Sequence, residues 1–303
     1  MKILLQFPEG LKKHALKHAH KLEADGHEVF LSASPSYGAC DLALGEAEAL
    51  GADEIVHFGH AKFPIPQPVK IPIEYVEWKV DVKMDDLSVA LEELKKYKKI
   101  ALATTVQHTH EIQKMKDFFK SSGIEALTKK GVLPAHEGQI LGCDSTAIMI
   151  PEAEAVLYVG DGMFHPLAID ESKPVYIFNP YTKEFRRIND EIERLRKRRK
   201  GALAAAIPAK TFGILVSTKP GQFKMQVAKW AKKELEKLGK EAHIIVSNEL
   251  NPHSIANFSV FDAYVNTACP RIADDLDLFG KPILNPEMLE EMARTIAEAG
   301  KHK

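Results

Sequence analysis

Lys99-Ile100-Ala101-Leu102-Ala103 is a lysine followed by an apolar run, and it restarts a pattern set by Lys2-Ile3-Leu4-Leu5-Gln6 near the beginning of the chain. Each run is short enough for a buried strand, and each leads through a loop to residues at helical spacing. After the first run these are Leu11, Ala15, His18 and Leu22; after the second, the helical stretch is Glu111–Ser121. Further short strands follow in the same order: His27–Leu31, Glu54–Phe58 and Ile73–Trp78, then Gly123–Leu127, Ala155–Gly160 and Val175–Phe178. A second helix, Asp41–Leu50, fits between the second and third strands of the first copy. A third pass runs through Phe212–Val216, a helix over Gly221–Leu238, then Ala242–Val246, Ala263–Asn266 and Pro282–Leu284.

Strands alternating with helices imply right-handed crossovers and hence a parallel sheet. The offset from first to third strand is similar in each pass: Ile3 to Ile55, Ile100 to Val156, and Ile214 to Tyr264. Self-similarity at about 100 residues is too long for a solenoid and predicts a triplicated α/β unit. The expected fold is therefore α/β, with three similar Rossmann-like domains, each a four-stranded, mainly parallel sheet. The expected divisions are 1–90, 91–185 and 186–303, the last opening on a basic linker helix within Thr182–Lys210. That helix holds Arg194, Arg196, Lys197, Arg198, Arg199 and Lys200. Such a run is ordinarily a solvated face; the functional alternative is a docking patch for an acidic or RNA-bearing partner. Glu287–Ala299 is expected to be an amphipathic packing helix.

The 303 residues carry a formal net charge of −1, which gives no reason to expect general nucleic-acid or membrane binding. No apolar run approaches the roughly 18 residues of a membrane span, and Pro8-Glu9-Gly10 cuts the first run too short for a signal peptide. A cytoplasmic location is the expectation. Only three cysteines are present, Cys40, Cys143 and Cys269, separated by 103 and 126 residues. One per repeat is a poor plan for disulfides.

A lone cysteine in an α/β protein is ordinarily a small buried hydrophobe. These three instead lie beside Gly, Pro or small residues in expected loops: Tyr37-Gly38-Ala39-Cys40-Asp41, Leu141-Gly142-Cys143-Asp144 and Asn266-Thr267-Ala268-Cys269-Pro270-Arg271. Loops at the carboxyl ends of parallel strands form the ligand crevice of open sheets. Three units about a pseudo-threefold axis would bring three thiolates to a central cluster, holding three irons of a cubic iron–sulfur group and leaving one open. Zinc with three cysteines and a histidine is the other chemistry these residues allow. The copies are not equivalent, because Cys40 and Cys143 precede the third strand of their units whereas Cys269 follows it.

Glycine and histidine also gather at strand ends. The stretches are His57-Phe58-Gly59-His60, Thr104-Thr105-Val106-Gln107-His108, Gly160-Asp161-Gly162-Met163-Phe164-His165-Pro166 and Ser217-Thr218-Lys219-Pro220-Gly221-Gln222. Glycine permits close approach of backbone to ligand, and a following helix start favours anions. No Gly-x-Gly-x-x-Gly follows the first strand, and there is no Gly-Lys-Ser/Thr phosphate loop.

With these residues in view, the sequence resembles the archaeal diphthamide-synthesis radical enzymes, the 2-(3-amino-3-carboxypropyl)histidine synthases, over nearly its whole length. The resemblance lies in Phe7-Pro8-Glu9-Gly10-Leu11, Tyr37-Gly38-Ala39-Cys40-Asp41, Val56-His57-Phe58-Gly59-His60, Gly142-Cys143-Asp144, Gly160-Asp161-Gly162, Phe164-His165-Pro166 and Ala268-Cys269-Pro270-Arg271. It implies a homodimer in which Cys40, Cys143 and Cys269 hold a [4Fe–4S] cluster whose open iron meets S-adenosylmethionine. It further implies cleavage to methylthioadenosine and a 3-amino-3-carboxypropyl radical, which adds to a histidine of translation elongation factor 2. An unidentified electron donor is required. The compact three-cysteine motif of ordinary radical enzymes using this cofactor is absent. Arg271 is expected to pair with the substrate carboxylate, with Gln222 and the Gly221 backbone as further contacts; His165, His60 and Gly162 are expected to line the cavity.

Two other readings stay open. Quinolinate synthase and the hydroxymethylbutenyl diphosphate reductase share the plan of one cluster cysteine per unit, and architecture alone does not choose chemistry. A non-catalytic cluster- or zinc-binding interaction subunit is the alternative of a different class.

Overall fold

The computed structural model describes residues 1–170 and 172–301, and the chain falls into two compact units, Met1–Ile192 and Glu193–Lys303. In the first unit, β1 (Lys2–Gln6), α1 (Ala15–Ala24), β2 (Glu28–Leu31), α2 (Leu44–Leu50), β3 (Glu54–Phe58) and β4 (Ile73–Val76) build a parallel sheet in the order β2-β1-β3-β4. The chain continues through α3 (Ser88–Leu94), β5 (Lys99–Thr104), α4 (Ile112–Ser121), β6 (Glu125–Leu127), β7 (Ala155–Val159), β8 (Val175–Phe178) and β9 (Phe185–Arg187). Their order is β6-β5-β7-β8-β9, parallel except for the last pair.

Helix α5 (Asn189–Ala206) crosses the boundary. In the second unit β10 (Thr211–Ser217), α6 (Met225–Lys237), β11 (Glu241–Ser247), α7 (Pro252–Ala256), β12 (Ala263–Asn266), α8 (Leu276–Phe279), β13 (Ile283–Leu284) and α9 (Pro286–Lys301) follow. The sheet order is β11-β10-β12-β13, all parallel.

The first strand of each copy is central, so both its faces are covered and it reads as a continuous apolar run. Ile3, Leu4 and Leu5, then Ile100–Ala103, then Ile214, Leu215 and Val216 are all buried. Each large aliphatic side chain so buried stabilises the fold by about 1.5–3 kcal/mol. The mixed α/β architecture with three mostly parallel sheets is as expected.

The repetition extends to individual hydrogen bonds. An acidic residue ahead of each third strand, Asp53, Glu154 or Asp262, donates its backbone N–H to the carbonyl at the start of the first strand, Lys2, Lys99 or Thr211, at 2.8, 2.8 and 2.9 Å. Its carboxylate accepts the N–H of that same residue at 2.7, 3.0 and 3.0 Å. A proline precedes every fourth strand, and Pro72, Pro174 and Pro282 accept from Ile55, Val156 and Tyr264 at 3.0, 2.8 and 2.8 Å. These bonds fix the equivalence of Ile55, Val156 and Tyr264. Counting five residues on makes His60, Asp161 and Cys269 equivalent.

Several boundaries differ from the sequence expectation. The second sheet has a fifth strand, β9, within the stretch expected to be linker; it pairs antiparallel with β8 and stacks Phe185 on Tyr176. Helix α2 begins at Leu44 instead of Asp41, because the Asp41 carbonyl and Ala43 N–H bond the Gln6 side chain instead. Helix α6 begins at Met225 instead of Gly221, since Gln222 closes a turn onto the Lys219 carbonyl. In α5, Arg198 pairs with Asp277 and Arg199 with Asp274. Among the described residues no helix is long and apolar enough to cross a membrane.

Candidate metal centre

None of the three cysteines is in a disulfide, Cys143 is exposed, and Cys40 and Cys269 are partly exposed. Each lies in a loop after a strand's carboxyl end, held by backbone-directed polar side chains.

The Cys40 loop is tied to the end of β1. Gln6 is 1% exposed; its amide nitrogen donates to the Asp41 carbonyl at 2.7 Å and its amide oxygen accepts from Ala43 N–H at 3.2 Å. The Asp41 N–H closes a turn onto Gly38, and the Asp41 carboxylate accepts from Tyr37 N–H. The same Gln6 oxygen lies 2.9 Å from Nδ1 of the fully buried His57, whose Nε2 lies 2.9 Å from Nδ1 of His60. Burial holds His57 at about 3 and His60 at about 4, far below the ordinary imidazole value, so both rings are neutral.

Cys143 stands at the tip of a turn whose ends, Leu141 and Asp144, exchange backbone hydrogen bonds. The Asp144 carboxylate anchors the turn by accepting from Leu133 N–H, Thr146 N–H and the Thr146 hydroxyl. Gly142 leaves room for the Phe164 ring, which rests on the loop beside Cys143 and which a Cβ at Gly142 would displace. Phe164 meets His165 edge-on at 5.3 Å, and Ser145 Oγ donates to the Ala168 carbonyl, tying the two loops together. Gly162 adopts φ +69° and donates to the Asp161 carboxylate, which also accepts from Asn179.

In the second unit, buried Asn266 ends β12. Its oxygen accepts from Ala268 N–H at 3.1 Å and its nitrogen donates to the Cys269 carbonyl at 2.8 Å and to Asn285 at 2.9 Å. Asn285 donates onward to the Pro270 carbonyl, closing the loop. Pro270 then starts a 3-10 turn that carries Arg271, 9% exposed and ion-paired with Asp274 at 2.7 Å. Burial lowers the Arg271 pKa, while Asp274 and the Cys269 thiolate favour its charge. The Arg271 guanidinium is thus already paired with an internal carboxylate, that of Asp274. Gln222 and Gly221 sit in the turn ahead of α6 beside Lys219, a cation only 5% exposed whose amine meets Glu249 at 3.0 Å.

Sequence reading missed Gln6 and Asp274, and it named His57 and Lys219 only as members of strand-end stretches. The available signals were a glutamine and a histidine closing apolar strands, and a lysine inside a loop of small residues. It also missed a grouping of Asp81, His110 and Glu111, whose ligand atoms lie within 4.8 Å of one another. There His110 Nε2 lies 3.0 and 3.3 Å from the two carboxylates, and Lys114 pairs with Glu111.

Three mostly parallel sheets that share one four-strand order, with one thiol apiece in loops after strand ends, define a repeated α/β protein equipped for thiolate ligation of a metal group. Thiolates are the donors iron–sulfur groups take, so the residues fit a cluster in kind. The chain belongs to the diphthamide synthesis family: the family model described as putative diphthamide synthesis protein matches residues 7–301. It is 38% identical to the 2-(3-amino-3-carboxypropyl)histidine synthase of Pyrococcus horikoshii over 95% of this chain and 84% of that protein. To the synthase of the same name from Methanocaldococcus jannaschii it is 32% identical, covering 94% of this chain and 82% of the other. The crystal structure of Dph2 from Pyrococcus horikoshii with a 4Fe-4S cluster superposes with a TM-score of 0.89 at 37% identity, covering 97% of this chain and 86% of that one.

Proposed function

We propose that this protein is a 2-(3-amino-3-carboxypropyl)histidine synthase acting in the first step of diphthamide formation. The observation that supports the reading best is the match to archaeal synthases of that name along almost the entire chain. Cys40, Cys143 and Cys269 each supply one thiolate to a [4Fe–4S] cluster, and the three-domain division 1–90, 91–185 and 186–303 gives each domain one ligand. When bound, the cluster supplies the electron that opens the sulfur–γ-carbon bond of S-adenosylmethionine. The acceptor is a histidine of translation elongation factor 2, the protein works as a cytoplasmic homodimer, and a separate electron donor reduces it.

The chain's own residues bind and orient. Arg271, held by Asp274, keeps a buried guanidinium beside Cys269 for the substrate carboxylate, with Gln222 and the Gly221 backbone in the neighbouring loop of the same sheet. The tight turn at Gly162 and the ring of His165 border the Cys143 loop, where Phe164 shields its backbone from water. His60 lines the substrate cavity from the first sheet.

The test is anaerobic reconstitution with iron and sulfide, reduction, addition of S-adenosylmethionine, and mass spectrometry for methylthioadenosine. Its formation, lost in Cys269→Ala, is the expected result. A cluster that yields 5′-deoxyadenosine or no cleavage would overturn the proposal.

A further inference from the structure

The second unit places a buried ammonium group at the carboxyl edge of its sheet. Lys219 lies in the loop after β10 and is 5% exposed, although a lysine ordinarily runs its stem over the surface and leaves its charge in water. Its amine lies 3.0 Å from Oε2 of Glu249, which stands just beyond the end of β11 and whose side chain is 44% exposed. Burying an ammonium gives up hydration that an ion pair repays only in part.

The two loops are joined without this pair. Thr218 N–H donates to the Ser247 carbonyl at 3.0 Å, Ser217 Oγ to the Asn248 carbonyl at 3.0 Å, and Asn248 Nδ2 to Thr218 Oγ1 at 3.3 Å. What the pair adds is a direction for the Glu249 carboxylate. Strand β11 is at the edge of the sheet, and Lys219 draws the carboxylate inward, over the end of the neighbouring β10. The exposed carboxylate keeps lone pairs for a further donor.

The place of Glu249 in the sheet says what that donor is. In the order β11-β10-β12-β13 the first and third strands of the unit, β10 and β12, are neighbours, and the winding reverses between them. Loops leaving such a pair part to opposite faces and open a crevice at the carboxyl edge. A nucleoside in a crevice of this kind is held by an acidic residue past the second strand, whose carboxylate accepts from the ribose hydroxyls. The second strand here is β11, and Glu249 is the acidic residue that follows it. The loop after β10, Ser217-Thr218-Lys219-Pro220-Gly221-Gln222, lacks the glycine pattern of a diphosphate cradle, and Pro220 has no N–H to give one. The nucleoside that fits carries no diphosphate.

We propose that Glu249 binds the ribose hydroxyls of the adenosyl half of S-adenosylmethionine, with Lys219 as the positioning residue that aims its carboxylate. The identity of the nucleoside rests on the function proposed above. Arg271 and Gln222, in loops of the same sheet, are the groups assigned to the other end of that substrate.

The test is calorimetric binding to anaerobically reconstituted, unreduced protein, with S-adenosylmethionine and its 2′,3′-dideoxy analogue as ligands. Glu249→Ala is expected to weaken binding of S-adenosylmethionine about tenfold, as loss of a hydrogen bond to a charged group does, and to leave the dideoxy analogue unchanged. Methylthioadenosine, which keeps the ribose and lacks the aminocarboxypropyl group, loses affinity by the same factor. Iron content equal to wild type checks the fold. Glu249→Gln, which keeps an oxygen for the Lys219 ammonium, shows the same pattern with a smaller factor. Lys219→Met lowers the preference for the hydroxyl-bearing ligand, and Lys219→Arg retains it. Equal loss for both ligands in the Glu249 variants, or unchanged affinity for S-adenosylmethionine, would overturn the proposal while leaving the synthase reading intact. An unchanged preference in Lys219→Met would overturn the role of Lys219. No binding of S-adenosylmethionine by the wild-type holoprotein would overturn both the proposal and the synthase reading.

Discussion

Arg271 donates to the carboxylate of Asp274 at 2.7 Å, and the same carboxylate accepts from Arg199 Nε and Nη2 at 2.8 and 3.1 Å. One buried anion therefore holds two guanidinium groups beside the Cys269 loop. Removing it would take from two guanidinium groups, one of them buried, the carboxylate they share. Asp274→Ala is expected to cost about 3 kcal/mol in chemical denaturation. Asp277→Ala, which breaks the exposed pair with Arg198, is expected to cost at most about 1 kcal/mol. Equal effects of the two substitutions would show that burial of the Asp274 network contributes little.

Arg271→Ala keeps the cysteines and the fold of the loop, which Asn266 and Asn285 secure through backbone groups. The reconstituted variant should keep its full iron content and lose most methylthioadenosine production. Wild-type turnover in that variant would remove Arg271 from the site.

Gly142→Ala places a methyl group where the Phe164 ring now lies. Phe164 is half exposed and can swing away, so the fold should survive while the cover over the Cys143 loop is lost. Faster alkylation of Cys143 in the apoprotein, followed by peptide mass spectrometry, is the expected consequence. Phe164→Ala should raise the rate by itself, and adding Gly142→Ala to it should change little further, because the clash is gone. Additive effects would mean that Gly142 matters for another reason.

His57 and His60 make stability depend on acid. Their folded values, about 3 and 4, lie below the ordinary 6.5, so the unfolded chain binds protons first as pH falls. Stability is full above about pH 6.5 and is lost progressively towards pH 3–4; for buried His57 the shift amounts to about 4–5 kcal/mol at its limit. Denaturation midpoints measured from pH 7.5 to pH 4 should fall for wild type, and the slope should flatten in His57→Asn. An unchanged slope in the variant would place the acid sensitivity elsewhere.

Much of the fold was legible because strand burial writes itself into short ranges of sequence. Ile3–Leu5, Ile100–Ala103 and Ile214–Val216 are apolar in succession because each lies at the centre of a sheet covered on both faces. The fifth strand, β9, was not legible: Phe185–Arg187 is a single aromatic followed by two arginines, and only pairing with β8 makes it a strand. The early start of α6 at Gly221 failed for a similar reason: Gln222–Lys224 is compatible with a helix by residue type, but Gln222 closes a turn onto the Lys219 carbonyl and Lys224 takes a non-helical φ −128°, ψ 57°.

By itself the sequence determined the triplicated α/β plan and the three cysteines as candidate ligands, because apolar runs and a scarce residue type are visible without coordinates. The acidic anchors Asp53, Glu154 and Asp262 and the prolines Pro72, Pro174 and Pro282 were also in the sequence. Their role became readable only once the bonds they make to distant strands were seen. Tertiary structure alone decided that Gln6 clamps the Cys40 loop, that Asp274 is shared by Arg199 and Arg271, and that His60 is equivalent to Cys269. Hydrogen bonds from side chains to groups 35 to 75 residues away leave no periodic trace, because they depend on where separate elements end in space and not on the spacing along any one of them.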